Sequence, residues 1–142
     1  MRGRVVYVTK KYAKCVFKPV VETDLPAHPT LLALKPMLMV DKSLYPESKV
    51  WSHMYHMPKM SREECAKLTA EPQVHDADEI HMTLGRPGAA RARWVLEDEE
   101  YIVDCPSTTY IPAGVKHSNG WLEINEPITI AVIITSGVRR LV

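Results

Sequence analysis

Gln73 to Gly85 reads QVHDADEIHMTLG, a run of histidines and carboxylates in a segment that otherwise has the character of a strand. Side chains alternate across an extended chain. Gln73, His75, Ala77, Glu79 and His81 are therefore expected on one face, with Val74, Asp76, Asp78 and Ile80 on the other. The first face is a row of nitrogen and oxygen donors. Imidazole and carboxylate together suit divalent iron, manganese, nickel or zinc, so a metal site is the first expectation. Asp76 and Asp78 read as solvated turn residues beside it.

Downstream, Pro112, Ala113, Gly114, Val115, Lys116 and His117 form a turn that ends on a histidine. Pro112 fixes its own φ, and Gly114 can supply the positive φ of a type II turn, so the chain reverses and delivers His117 to the start of the next strand. His75, Glu79 and His117 then make two histidines and one carboxylate. That set is the facial triad of non-haem metal enzymes, which leaves coordination positions open.

These two fragments resemble the two motifs of the cupin superfamily. His75 matches the second histidine of the first motif, Glu79 its glutamate, and Gly85 its closing glycine, one position early. Pro112, Gly114 and His117 match the PxGxxH of the second motif, with Asn119 following two residues later. PxGxxH about thirty residues after HxxxE is a more specific signal than either fragment alone. The departure is Gln73, which stands where the family has its first histidine. Two replacements are open: Gln73 through its carbonyl oxygen, a weak ligand, or His81, which shares a face with Glu79. His81 is preferred.

The resemblance implies an all-β, cupin-type barrel (double-stranded β-helix or jelly roll) over residues 46–136. Residues 1–45 would be N-terminal strands and a loop, which in cupins often pair with a second subunit, so a homodimer is implied by resemblance alone. At 142 residues the chain has the length of one domain and can bury a sizeable core. Its 46% hydrophobic and 25% charged content is ordinary for a globular protein. With a net charge of +1, nothing argues for nucleic acid or for an acidic membrane surface. Cys15, Cys65 and Cys105 are far apart and form no CxxC pair, so they read as reduced thiols. No long apolar run is present, and MRGRVVYVTKKYAK is too charged for a signal peptide. A cytoplasmic location is expected.

Along the chain, Arg4–Thr9 and Lys14–Val21 predict strands on either side of a Lys10–Lys11 turn, and Glu22–Thr30 a loop that exposes His28. Pro36–Val40 predicts a further strand, with Leu31–Leu34 unassigned. Val50–Met57 places Trp51, His53, Tyr55 and Met57 on one face of a strand. That face is preferred as the pocket wall because large aromatic side chains commonly line ligand cavities. His53 reads equally well as a hydrogen-bonded core residue. Ser61 and Glu64 form a capping box for a short helix over Arg62–Thr69, an insertion placed to cover one end of the pocket. Arg91–Leu96 alternates Ala92, Trp94 and Leu96 against solvent-facing Arg91 and Arg93. An acidic turn over Glu97–Glu100 leads to strands at Tyr101–Asp104, Thr108–Ile111, Trp121–Ile124 and Ile128–Thr135. Short strands divided by Pro and Gly turns, with one clear helix, independently argue for an all-β barrel or sandwich.

The most concrete function is a metal-dependent enzyme with oxygenase-like or isomerase/lyase-like chemistry on a small organic substrate. His75, Glu79 and His117 are its ligands, His81 a fourth ligand or general base, and His53, Tyr55 and Lys116 its substrate contacts, Tyr55 also as a catalytic group. Strand alternation points Lys116 away from the metal. The alternative is a non-catalytic cupin that binds a small ligand as a sensor or structural subunit, which loss of the first histidine favours. A metal-free isomerase using His and Tyr as acid and base is a third reading.

Overall fold

The computed structural model describes residues 11–16, 38–68, 70–136 and 138–142. Among the described residues, the alternation noted in the sequence becomes eight strands: β1 (Leu38–Val40), β2 (Trp51–Met57), β3 (Glu79–Leu84), β4 (Ala90–Leu96), β5 (Glu99–Asp104), β6 (Ser107–Ile111), β7 (His117–Ile124) and β8 (Ile128–Ile134). They form two antiparallel sheets, one in the order β1-β2-β8-β3-β6 and the other β5-β4-β7. This is a jelly-roll sandwich. The buried residues between the sheets come from both, with Trp51, Ile130 and Ile134 on one side and Ala92, Trp94 and Trp121 on the other.

Register decides where polar groups can sit. Across the larger sheet, Trp51 pairs with Ile134 and Ile134 with Glu79; His53 pairs with Val132 and Val132 with His81; Tyr55 pairs with Ile130 and Ile130 with Thr83. Glu79, His81, His53 and Tyr55 therefore all point into the sandwich toward one end. Met57, Ile128 and Ile124 are fully buried at the other end and close it with apolar side chains. Each such side chain contributes roughly 1.5–3 kcal/mol by burial.

Gly85 follows β3 at that closed end. A Cβ there would lie 2.9 Å from Ile128 Cγ2 and 3.0 Å from Cys105 Sγ, so the position requires the absence of a side chain. At the opposite end, the Val115 N–H donates to the Pro112 carbonyl and Gly114 takes φ +82°, which is the predicted type II turn ahead of His117.

Helix α1 (Arg62–Lys67) starts at Ser61 with both hydrogen bonds of the capping box in place. It packs against β7 and buries Cys65. No residue of α1 lines the polar cavity described below, so it does not cover that pocket. Arg91 and Arg93 are half-exposed and pair with Asp104 and Glu100 across the β4–β5 ladder. All three cysteines are free thiols. Among the described residues, no helix is long and apolar enough to cross a membrane.

Two strand expectations are also corrected. Ala13–Cys15 is a 3-10 turn in which the Cys15 N–H donates to the Tyr12 carbonyl, so the strand expected from Lys14 does not begin there. Gln73–Ala77 is not a strand: Gln73 makes one isolated bridge with His117, and the chain bends at Asp76 and Ala77 before β3 begins. The Arg4–Thr9 strand, the remainder of Lys14–Val21, the loop with His28 and Leu31–Leu34 lie outside the described residues.

Candidate metal centre

Each element of the site is placed by backbone hydrogen bonds. Gln73 and His117 exchange both N–H to carbonyl bonds, at 2.8 and 2.9 Å, and the Gly114 N–H donates to the His75 carbonyl at 2.8 Å. These tie the first fragment of the sequence to the second. The turn ahead of His117 is held from two further sides. Asp78 Oδ1 accepts from the Ala113 N–H at 2.9 Å, and its Oδ2 accepts from the Tyr110 hydroxyl. Glu97, in the left-handed conformation at φ 55°, donates its N–H to the Lys116 carbonyl and accepts from the Lys116 N–H through Oε1. Asp78 is thus a structural acceptor and not a solvated turn residue.

His75, Glu79 and His117 converge. Glu79 Oε2 lies 3.1 Å from His75 Nε2 and 3.5 Å from His117 Nε2. One donor atom from each of the three side chains falls within 4.8 Å of the others, and all three residues are buried. Neither contact has hydrogen-bond geometry, so both Nε2 atoms are buried without a hydrogen-bond partner. Such groups are rare and costly. The opposite ring nitrogens explain them. His75 Nδ1 lies 2.7 Å from the Arg140 carbonyl oxygen, and His117 Nδ1 lies 2.9 Å from the Val115 carbonyl oxygen. A carbonyl only accepts, so each Nδ1 carries the hydrogen. In the neutral ring, each Nε2 is left with its lone pair directed away from that anchor.

Metal-ligating histidines are commonly anchored through the other ring nitrogen in this way, and the residues fit a divalent transition ion. The electrostatics agree. Burial alone would raise the Glu79 carboxyl, but the adjacent His117 and His75 hold it well below the usual carboxylate range. Burial would lower His117, yet the Glu79 carboxylate and the Val115 carbonyl raise it above its ordinary value.

Beside Glu79 lies a small cavity of about 20 Å³, lined by Trp51, His53, Tyr55, Gln73, Glu79, His81, Trp94, Asn119, Val132 and Arg139. It has room for about one water molecule. His81 brings no ring nitrogen into the three-residue cluster; its ring meets Trp94 edge-on at 4.9 Å. Burial pushes His81 down to about 4, and burial together with the Glu79 charge keeps the Tyr55 phenol protonated. Gln73 Oε1 accepts from Arg139 Nη2 at 2.6 Å. Lys116 is exposed and is not among the lining residues. Trp51 lines the cavity from the face expected to wall it, whereas Arg139, Trp94, Asn119 and Val132 are lining residues to which sequence reasoning gave no role at the site.

Solved structures supply the comparison. Recombinant oxalate oxidase in complex with glycolate matches with a TM-score of 0.51 at 17% identity, over 73% of this chain and 52% of that one. A cupin 2 domain-containing protein from Halorhodospira halophila matches with a TM-score of 0.52 at 17% identity, over 72% of this chain and 64% of that one. The chain has the cupin fold. It spans about half the length of the oxalate oxidase and less than two thirds of the cupin 2 domain protein. No family model and no curated protein matches the sequence. At this identity the comparison establishes the cupin architecture, and the chemistry has to be argued from the residues themselves.

Proposed function

We propose that this cupin is a metal-dependent enzyme acting on a small organic substrate, with a divalent transition ion held by His75, Glu79 and His117. The observation that carries this reading is the pair of buried imidazoles, each anchored through Nδ1 and each left with an unpartnered Nε2 beside one carboxylate. Iron, manganese, nickel or zinc there would supply a Lewis acid, and iron or manganese also a redox centre, for oxygenase-like or isomerase/lyase-like chemistry.

The surrounding side chains suit that task. Trp51, Trp94 and Val132 wall the cavity and exclude bulk water, which strengthens every polar interaction inside it. The small volume admits a water or the reacting end of a substrate. Asn119 and Arg139 bring N–H donors to the same space for a carbonyl or carboxylate oxygen. Tyr55 presents a protonated hydroxyl. His81 stays neutral through the working pH range and has a lone pair that accepts a proton or a hydrogen bond. His53 faces the cavity from β2, across β8 from His81 and in the same cross-strand row. Exposed Lys116 is left out of this reading.

The test is elemental analysis of the purified protein beside His75→Ala and His117→Ala variants, before and after reconstitution. Near-stoichiometric metal in the wild type that is absent from both variants supports the reading and directs work to oxygen-uptake and isomerase assays. A wild type that takes up no metal sinks it in favour of a non-catalytic small-ligand-binding cupin.

A further inference from the structure

We propose that residues 139–142, which follow β8, act as a strap that positions the metal centre; the inference rests on the metal reading above. Its contacts fall on consecutive residues of the irregular stretch 73–76. Arg139 Nη2 donates to Gln73 Oε1 at 2.6 Å, and the Val142 N–H donates to the Val74 carbonyl at 3.1 Å. The Arg140 carbonyl accepts from His75 Nδ1 at 2.7 Å, while Arg140 Nη1 lies 3.7 Å from Asp76 Oδ2.

That stretch belongs to no ladder. On one side it has the Gln73–His117 bridge and the Gly114 bond to the His75 carbonyl. The strap supplies the other side. Two consequences follow for the centre. The Arg140 carbonyl fixes both the tautomer and the ring orientation of His75, which its own backbone does not. Arg139 engages the Gln73 carbonyl oxygen, the atom by which Gln73 would ligate, and its guanidinium is itself braced over the Trp51 ring at 5.8 Å. The strap thereby sets both the aim of one ligand and the exclusion of a fourth. Loss of such outer partners typically weakens metal binding by about 10–100-fold.

The experiment uses the full chain and cobalt(II) chloride as the probe, reading affinity by competition and coordination by d–d absorption. Arg139→Ala/Arg140→Ala/Val142→Pro is expected to bind cobalt about 10–100-fold more weakly, with an altered spectrum, while the circular dichroism and melting temperature of the metal-free protein hold. Arg139→Ala alone should change the spectrum as Gln73 is released, Arg139→Lys should largely restore it, and adding Gln73→Ala should abolish the change. A triple variant with wild-type affinity and spectrum overturns the strap and leaves the metal reading standing. If the triple variant does not fold, an unchanged spectrum in Arg139→Ala overturns the strap. A wild type that binds no cobalt overturns both.

Discussion

The Ala113 N–H donates to Asp78 Oδ1 at 2.9 Å, and this bond joins the neighbour of one ligand to the turn that delivers another. Asp78 directly precedes Glu79, and Ala113 lies in the turn ahead of His117. Asp78→Ala should therefore loosen the spacing of Glu79 and His117 and weaken metal binding about tenfold, the lower end of outer-partner effects. Asp78→Asn keeps an acceptor for the amide and should lose less. Competition titration with zinc reads the difference; equal affinities in wild type and Asp78→Ala would dismiss the coupling.

Gly85→Ala tests the closed end of the sandwich. The added methyl meets Ile128 Cγ2 at 2.9 Å and Cys105 Sγ at 3.0 Å, and overpacking of this kind costs about 1–3 kcal/mol. Gly120→Ala is the control, since nothing lies within 4 Å of a Cβ there. Urea unfolding should show a loss for the first and little for the second.

Helix α1 depends on its first turn. Ser61 Oγ accepts from the Glu64 N–H at 3.2 Å, and Glu64 Oε2 accepts from the Ser61 N–H at 2.8 Å. Ser61→Ala removes one of these bonds and should destabilise the protein by about 1 kcal/mol in thermal unfolding. Metal binding should be unchanged, because α1 does not line the cavity.

The parts of this fold that were legible in the sequence are those governed by local rules. Alternation placed Trp51, His53, Tyr55 and Met57 on the buried face of β2, and the same rule set Arg91 and Arg93 outward on β4. Gly114 announced its turn because a type II turn needs a positive φ. Gln73–Ala77 misled for a physical reason: alternation of buried residues survives there, yet the hydrogen-bond partners are a turn and a distant segment instead of a neighbouring strand. Arg139 carried no signal at all. It lies 66 positions from Gln73, in a stretch without periodicity, and its role exists only once β8 has returned it to the site. His81 shares a face with Glu79 as alternation requires, but its ring goes to Trp94 in the opposite sheet, a contact that sequence spacing does not encode.

The raised His117 and depressed Glu79 give metal-free and metal-loaded protein opposite responses to pH. A group raised above its unfolded value stabilises fully below that value, near 6.5, and loses its contribution as pH rises through the folded one. The metal-free protein should therefore lose stability as pH rises above about 6.5 on account of His117. Depressed Glu79 contributes throughout this window and loses its effect only on acidification below the ordinary carboxylate range. A metal ion needs the Nε2 lone pair of His117 and so competes with its proton, which makes binding tighter as pH rises through the same window. The rise in melting temperature on adding zinc should thus be larger at pH 8 than at pH 6, and His117→Ala should largely remove both the rise and its pH dependence. Differential scanning calorimetry across this range decides it: a zinc-induced rise that is equal at both pH values would mean that His117 does not exchange its proton for the ion.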